Sequence, residues 1–207
     1  MEQPLSPDAA KSFDRSAEVY DENVAPNRAG ARRLVASIPD GRYPRLLDVA
    51  CGSGRHLRHG LEKGFVVTGI DRDLSGVEDL GERGDVALIE ADMETGHPFP
   101  LRNLRFDAVI VTNYLWRPIL PDLAGCVADD GLFIYETFAL GHEREGKPMR
   151  EDFLLKPNEL LEAALPDLVV IAYEHGELTG EHPRIVQRIA ACGREHRWAR
   201  GEPIALG

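Results

Sequence analysis

From Arg45 onward the chain alternates short apolar runs with helical stretches, and this alternation constrains its fold more than any other feature. The runs 46–50, 65–70, 86–89, 106–111, 131–137, 168–173 and 184–190 read as seven strands. Residues 54–63, 74–82, 118–124 and 157–164 read as the helices between them. Strands buried on both faces lack the polar alternation of a half-exposed sheet, so near-continuous apolar runs predict a mostly parallel sheet with helices on both faces. The last two runs break the pattern, because only the short polar stretch 174–183 joins them. A parallel crossover needs a dozen or more residues, so the last strand is predicted to return antiparallel as a hairpin.

Ahead of this core, Ala10, Phe13, Ala17 and Tyr20 recur at helical spacing, and Ser6-Pro7 suits an N-cap with proline in the first turn. A helix over 7–20 and a second over 26–37 are predicted. At 207 residues and 43% hydrophobic content the chain can bury one α/β core but hardly two. The reading is a single domain over 1–207: a helical cap (1–40), the core (41–193) and a tail (194–207).

Charge narrows the function. Lys plus Arg number 24 against 35 Asp plus Glu, a net of -11. Nucleic acids and anionic membranes are both bound through cations, so neither is an expected partner. No apolar run reaches the roughly 20 residues that cross a bilayer. The start MEQPLSPDAAKSFD lacks the charged and apolar stretches of an export signal. Three scattered cysteines, Cys51, Cys126 and Cys192, form no CxxC pair and suit a reducing compartment, so a cytoplasmic location is expected.

In an open α/β sheet a ligand sits beyond the carboxyl ends of the strands, and chemistry-bearing residues collect there. Asp48-Val49-Ala50-Cys51-Gly52-Ser53-Gly54 follows the first strand. Glycines let the backbone approach a ligand, and the next helix turns free N–H groups toward it. Nineteen residues after Gly52 the second strand ends at Asp71, a carboxylate able to accept both hydroxyls of a ribose. The third glycine of a dinucleotide-binding GxGxxG loop is absent, since Leu57 holds its place. Asp48 would also oppose a pyrophosphate, whereas it suits a cationic amino group or sulfonium. The third strand runs into Glu90-Ala91-Asp92-Met93, where Asp92 could accept an exocyclic amine and Met93 cover an adenine face. These carboxylates favour S-adenosylmethionine over NAD.

The runs 46–54, 69–71, 90–93 and 106–111, with the glycine-led strand 129–138, resemble the ordered motifs of class I S-adenosylmethionine-dependent methyltransferases over roughly residues 13–192. The Ala50-Cys51-Gly52-Ser53-Gly54-Arg55-His56 run is similar to that of the tellurite-resistance-type small-molecule methyltransferases. The resemblance implies a Rossmann-like fold and cofactor contacts from Asp48, Ala50, Cys51, Gly52, Gly54, Asp71, Arg72, Asp92 and Met93. Thr112, Asn113 and Tyr114 would lie near the methionine portion and the transferring methyl. S-adenosylhomocysteine would be the product. One departure is that Ala50-Cys51 stands where the family has a loop glycine, so the loop must accommodate two β-carbons.

Methyl transfer from a sulfonium asks the enzyme to align nucleophile, methyl and sulfur and to exclude water. A thiol or chalcogen anion needs little help with a proton; an amine needs an acceptor. The candidate acceptor-side residues are Tyr20, Tyr114, Arg117 and Glu136, with Trp116 and His142 nearby. Tyr20 also suits a closing helix, Trp116 suits packing, Arg117 suits solvent, and His142 suits a solvated loop. His56 and His59 are three apart on a helix without a third ligand, so a wet helix face is the reading and no metal is expected. Cys51 is read as a small residue that fits rather than a nucleophile. The charged loop 141–152 and the N-terminal helix are expected to close the pocket. The tail, with Arg194, Arg197, Arg200 and Trp198, is expected to fray. A non-catalytic adenosyl-ligand binder and an NAD-dependent oxidoreductase stand as alternatives to a small-molecule methyltransferase.

Overall fold

The computed structural model describes residues 44–180 and 182–202. The expected cap over 1–40, its two helices and Tyr20 lie outside the described residues. Seven strands form one sheet in the order β3-β2-β1-β4-β5-β7-β6. They are β1 (Arg45–Val49), β2 (Val66–Asp71), β3 (Val86–Glu90), β4 (Phe106–Thr112), β5 (Val127–Phe138), β6 (Val169–Leu178) and β7 (Arg184–Cys192). The first five pair in parallel, and β7 runs antiparallel between β5 and β6. The reversed hairpin strand expected from the short 174–183 connection is therefore present.

Side chains alternate across a strand, and the two faces are buried by different helices. On one face Leu47, Val49, Val109, Val111, Phe133 and Tyr135 join a single core with Leu120, Leu123, Leu160 and Ala164. The latter four come from the helices α2 (Leu120–Gly125) and α3 (Glu159–Ala164). On the other face α1 (Arg55–Glu62) lies so close that a β-carbon on Gly60 would stand 3.0 Å from Val67 and 3.2 Å from Leu46. Burying a side chain such as Leu47 or Val109 stabilises the fold by about 1.5–3 kcal/mol.

Four segments differ from their sequence reading. The expected helix over 74–82 is a six-residue 3-10 turn, Ser75–Leu80. Asp73 Oδ1 accepts the Ser75 N–H at 2.9 Å, and Gly76 and Gly81 weaken any longer helix. β5 begins at Val127 rather than 131, because Asp129-Asp130 stays extended through an irregularity in the β4 pairing. β6 runs on to Leu178, its outer part polar because it forms the sheet edge.

The tail is the fourth. Through Glu202 it is folded back rather than frayed: the Gly193 and Glu195 N–H groups donate to the Gly131 and Asp129 carbonyls at 2.9 and 2.8 Å. His196 is buried, and its ring meets Trp198 edge-on at 4.7 Å. No helix among the described residues is long and apolar enough to cross a membrane.

Candidate functional site

The loop after β1 crosses the carboxyl ends of the parallel strands. Ala50 and Cys51 donate their N–H groups to the Ile70 carbonyl at 2.8 and 3.2 Å, tying the loop to β2. Ala50 takes a φ of 56°, Gly52 49° and Gly54 74°. Ala50 thus adopts a left-handed backbone with its β-carbon retained, a strained state of the kind that functional loops hold. At Gly54 both constraints coincide, since an added β-carbon would stand 2.4 Å from the Val77 side chain. At Gly52 the space is open, with nothing within 4 Å of a would-be β-carbon, so a ligand can approach this backbone.

Asp71 closes the loop from β2. Its Oδ2 accepts the Gly52 N–H at 2.9 Å and its Oδ1 the Asp73 N–H at 3.1 Å. Each carboxylate oxygen keeps a second lone pair, so Asp71 can still take a ligand hydroxyl. Asp48 is only 1% exposed. His56 Nδ1 approaches its Oδ1 at 3.3 Å, while Oδ2 is buried with no partner. A carboxylate oxygen left bare costs desolvation that only a hydrogen-bonding or cationic group would offset.

Beyond β3, Asp92 is exposed and accepts the Glu94 N–H at 2.8 Å, whereas Met93 is 7% exposed and joins the core. Beyond β4, Thr112 is half-buried and Asn113 exposed with a φ of 56°. The Asn113 N–H donates to the Glu136 carbonyl at 2.9 Å, and the Tyr135 hydroxyl donates to the Tyr114 carbonyl at 2.8 Å, so the turn is pinned on both sides. The Tyr114 hydroxyl is buried without a partner. Burial pushes its ionisation far above the usual phenol range, and the carboxylates of Glu94, Asp92 and Asp71 add to this against Arg72.

Asp48, Ala50, Gly52, Gly54, Asp71, Arg72, Asp92, Met93, Thr112, Asn113 and Tyr114 thus all lie at or just beyond the carboxyl ends of β1–β4. Cys51 is beside them but turned inward, its Sγ 3.0 Å from a would-be β-carbon on Gly69. Burial first, then Asp48 and Asp71, push its thiol up to about 12, which leaves no thiolate to act as a nucleophile.

Other candidates make contacts within the protein. Arg117 is half-buried, and its guanidinium is taken up by partners within the protein. Its Nε and Nη2 donate to Glu159 at 2.6 and 3.0 Å, and Nη1 and Nη2 donate to the Asp152 and Leu154 carbonyls at 2.6 and 2.8 Å. His142, expected in a solvated loop, is 4% exposed and stacks on Phe138 at 4.3 Å. Its Nε2 lies 3.0 Å from the Lys147 carbonyl, and its Nδ1 is approached at 3.4 Å by the Ile185 N–H. Together they tie both ends of the loop 141–152 to the body. Glu136 is 9% exposed and lies in a row with Arg188 and Glu174, with Arg188 Nη1 3.8 Å from its Oε2. His56 serves Asp48 rather than a wet surface, and His59 approaches Glu62 at 3.6 Å. No cluster of three or more metal-ligating side chains occurs among the described residues. Trp116 is half-buried against the core. A groove of about 410 Å³ between Arg105, Asp129, Asp167 and Arg194 opens at the opposite ends of the strands, away from these loops.

Residues 46–129 match the methyltransferase-domain family. A malonyl-[acyl-carrier protein] O-methyltransferase from Enterobacter lignolyticus is 31% identical over 101 residues, 48% of this chain and 39% of the relative. The chain thus matches about two fifths of the length of its curated relatives. Among solved structures, the 1,6-didemethyltoxoflavin N1-methyltransferase of Burkholderia thailandensis, with S-adenosylhomocysteine bound, superposes with a TM-score of 0.62 at 18% identity over 92% of each chain. TehB from Haemophilus influenzae superposes with a TM-score of 0.55 at 20% identity, over 72% of this chain and 57% of TehB.

Proposed function

We propose that the chain is a class I methyltransferase and catalyses S-adenosylmethionine-dependent methyl transfer to a small-molecule acceptor by in-line displacement. The observation that carries this reading is Asp48: a wholly buried carboxylate with one oxygen bare, beneath a loop whose backbone is open to a ligand. A cationic amino group satisfies that oxygen, and a pyrophosphate would be repelled by it, which disfavours a dinucleotide. Asp71 would hold the ribose hydroxyls. Asp92 and Met93 would meet the adenine, with Arg72 flanking them. The backbone of Ala50, Gly52 and Gly54 would line the methionine portion, and Thr112 and Asn113 the acceptor side.

When bound, the cofactor supplies an electrophilic methyl on a sulfonium. The protein's part is alignment and exclusion of water. The turn 112–114 is suited to alignment because Tyr135 and Glu136 fix it. The loop 141–152 is suited to covering the acceptor, anchored at both ends while Met149, 67% exposed, lies free between them. Thiols, chalcogen anions and small amines are the acceptor classes to screen, and a cytoplasmic location agrees with the cysteine usage.

Titration calorimetry with S-adenosylmethionine, S-adenosylhomocysteine and NAD tests the reading. Micromolar binding of the two adenosyl ligands without NAD supports it; NAD binding alone overturns it. Turnover across an acceptor panel then separates an enzyme from a non-catalytic binder.

A further inference from the structure

One side-chain contact joins the two stems of the loop after β1. Asp48 belongs to β1 and His56 to the first turn of α1, eight residues on, and His56 Nδ1 comes to 3.3 Å from Asp48 Oδ1. The histidine is partly sheltered, at 22% exposure against 1% for the carboxylate. On the far side of the ring Arg55 Nη2 stands 3.2 Å from Nε2. A guanidinium can only donate, so Nε2 accepts, and the proton of the neutral ring lies on Nδ1, where it is donated to Asp48. No other protonation state satisfies both contacts. The Nε2–H form offers Asp48 no donor, and the doubly protonated ring sets a second N–H against Arg55.

We propose that His56 is a positioning residue for Asp48: held by Arg55 as the Nδ1–H tautomer, it fixes one carboxylate oxygen and leaves Oδ2, buried without a partner, to receive the amino group of the bound adenosyl ligand. This rests on the adenosyl-ligand reading above. The last torsion of an aspartate is broad, so a carboxylate held at neither oxygen has no fixed aim. A lysine or arginine in place of His56 would aim it too, but would compete with the ligand's ammonium for the same charge. The neutral imidazole restrains the carboxylate and adds no charge, while the guanidinium of Arg55 is kept one ring further back.

Titration separates this role from a mere staple of the loop. The intact chain, His56→Phe and His56→Asn are each titrated with S-adenosylmethionine, S-adenosylhomocysteine and 5′-methylthioadenosine, the last lacking the amino group. His56→Phe is expected to bind the two amino-bearing ligands about tenfold more weakly and 5′-methylthioadenosine as before. His56→Asn, whose amide offers an N–H near the place of Nδ1, is expected to recover most of the loss. An equal loss for all three ligands would mean that His56 only holds the loop, and no loss that it does nothing for Asp48. Either overturns the proposal.

A second readout needs no ligand. In chain carrying isotope-labelled histidine, long-range proton–nitrogen correlation at neutral pH is expected to show the ring missing from His56→Asn with a protonated Nδ1 and a bare Nε2. An exposed histidine favours the reverse, and a protonated Nε2 at His56 overturns the positioning. The two failures stay distinct. If the intact chain binds none of the three ligands, the adenosyl reading falls and takes the amino-group role with it, whereas the tautomer is decided without any ligand.

Discussion

The two ends of the β1–β5 sheet region that face the same side of the molecule are built on opposite terms. Around β1–β3, polar groups are buried and left short of partners: Asp48 Oδ2 is bare, and Ala50 holds a left-handed backbone. Around β5 and α3, buried Gln187 and half-buried Arg117 are both matched. Arg117 makes four hydrogen bonds, to Glu159, Asp152 and Leu154, and Gln187 donates to the Lys156 carbonyl at 2.6 Å. A matched network strengthens a fold, whereas an unmatched one is tolerated where a ligand completes it. The first region is therefore read as the site and the second as its support.

Substitutions can break this contrast from either side. Arg117→Ala strips partners from Glu159 and two carbonyls, and is expected to lower stability by about 2–4 kcal/mol in denaturant unfolding. Any S-adenosylhomocysteine affinity should survive in the fraction that stays folded. A large affinity loss with stability intact would return Arg117 to the ligand.

Asp71→Ala should weaken cofactor binding by about 1–3 kcal/mol in calorimetry, because ribose hydroxyls lose their acceptor. Since Asp71 also holds the Gly52 and Asp73 N–H groups, some of that loss reflects a looser loop. Asp71→Asn, which retains one acceptor oxygen, should recover part of it. An unchanged affinity in Asp71→Ala would remove the ribose assignment.

Asp48→Asn sharpens the comparison further. Replacing this buried carboxylate, bare at one oxygen, by a neutral amide should leave the unfolding midpoint unchanged or raised, while cofactor affinity falls about tenfold. A fall in both would place Asp48 with the matched groups instead.

The smallest effect is one of pH. The Cys51 thiol is raised by burial to about 12 and Cys126 to about 11, against 9.0 for the free group. Below about pH 8 both are protonated whether folded or not, and their contribution to stability is whole. As pH climbs from there, only the unfolded chain releases these protons, and the contribution is lost by about pH 12. Urea midpoints should fall between about pH 8 and about pH 10.5, with a shallower fall in Cys51→Ala; identical slopes would disprove the shift.

These contrasts also explain what the sequence could disclose. The strands were legible because burial on two faces removes polar residues from 46–49 and 106–111, save for Asp48 and Asp107. The carboxylates Asp48, Asp71 and Asp92 were legible because a strand's end locates them. Arg117 was not, since its partner Glu159 lies 42 residues on and meets it only after β5 has been laid down. His142 was misread for the same reason: its polar neighbours suggest solvent, while Phe138 and Ile185 enclose it. Local pattern reports burial well, but reports badly which polar residue will find a distant mate.

The placement of β7 inside the hairpin pair leaves β6 as the outer rim of the sheet, with Glu174, His175 and Glu177 along it. A sheet rim is a row of unpaired amides that another molecule's strand can copy onto itself, and charge along that row deters the copy. The polar stretch that lengthened β6 beyond its apolar run thus acts as a guard against self-association into extended sheets.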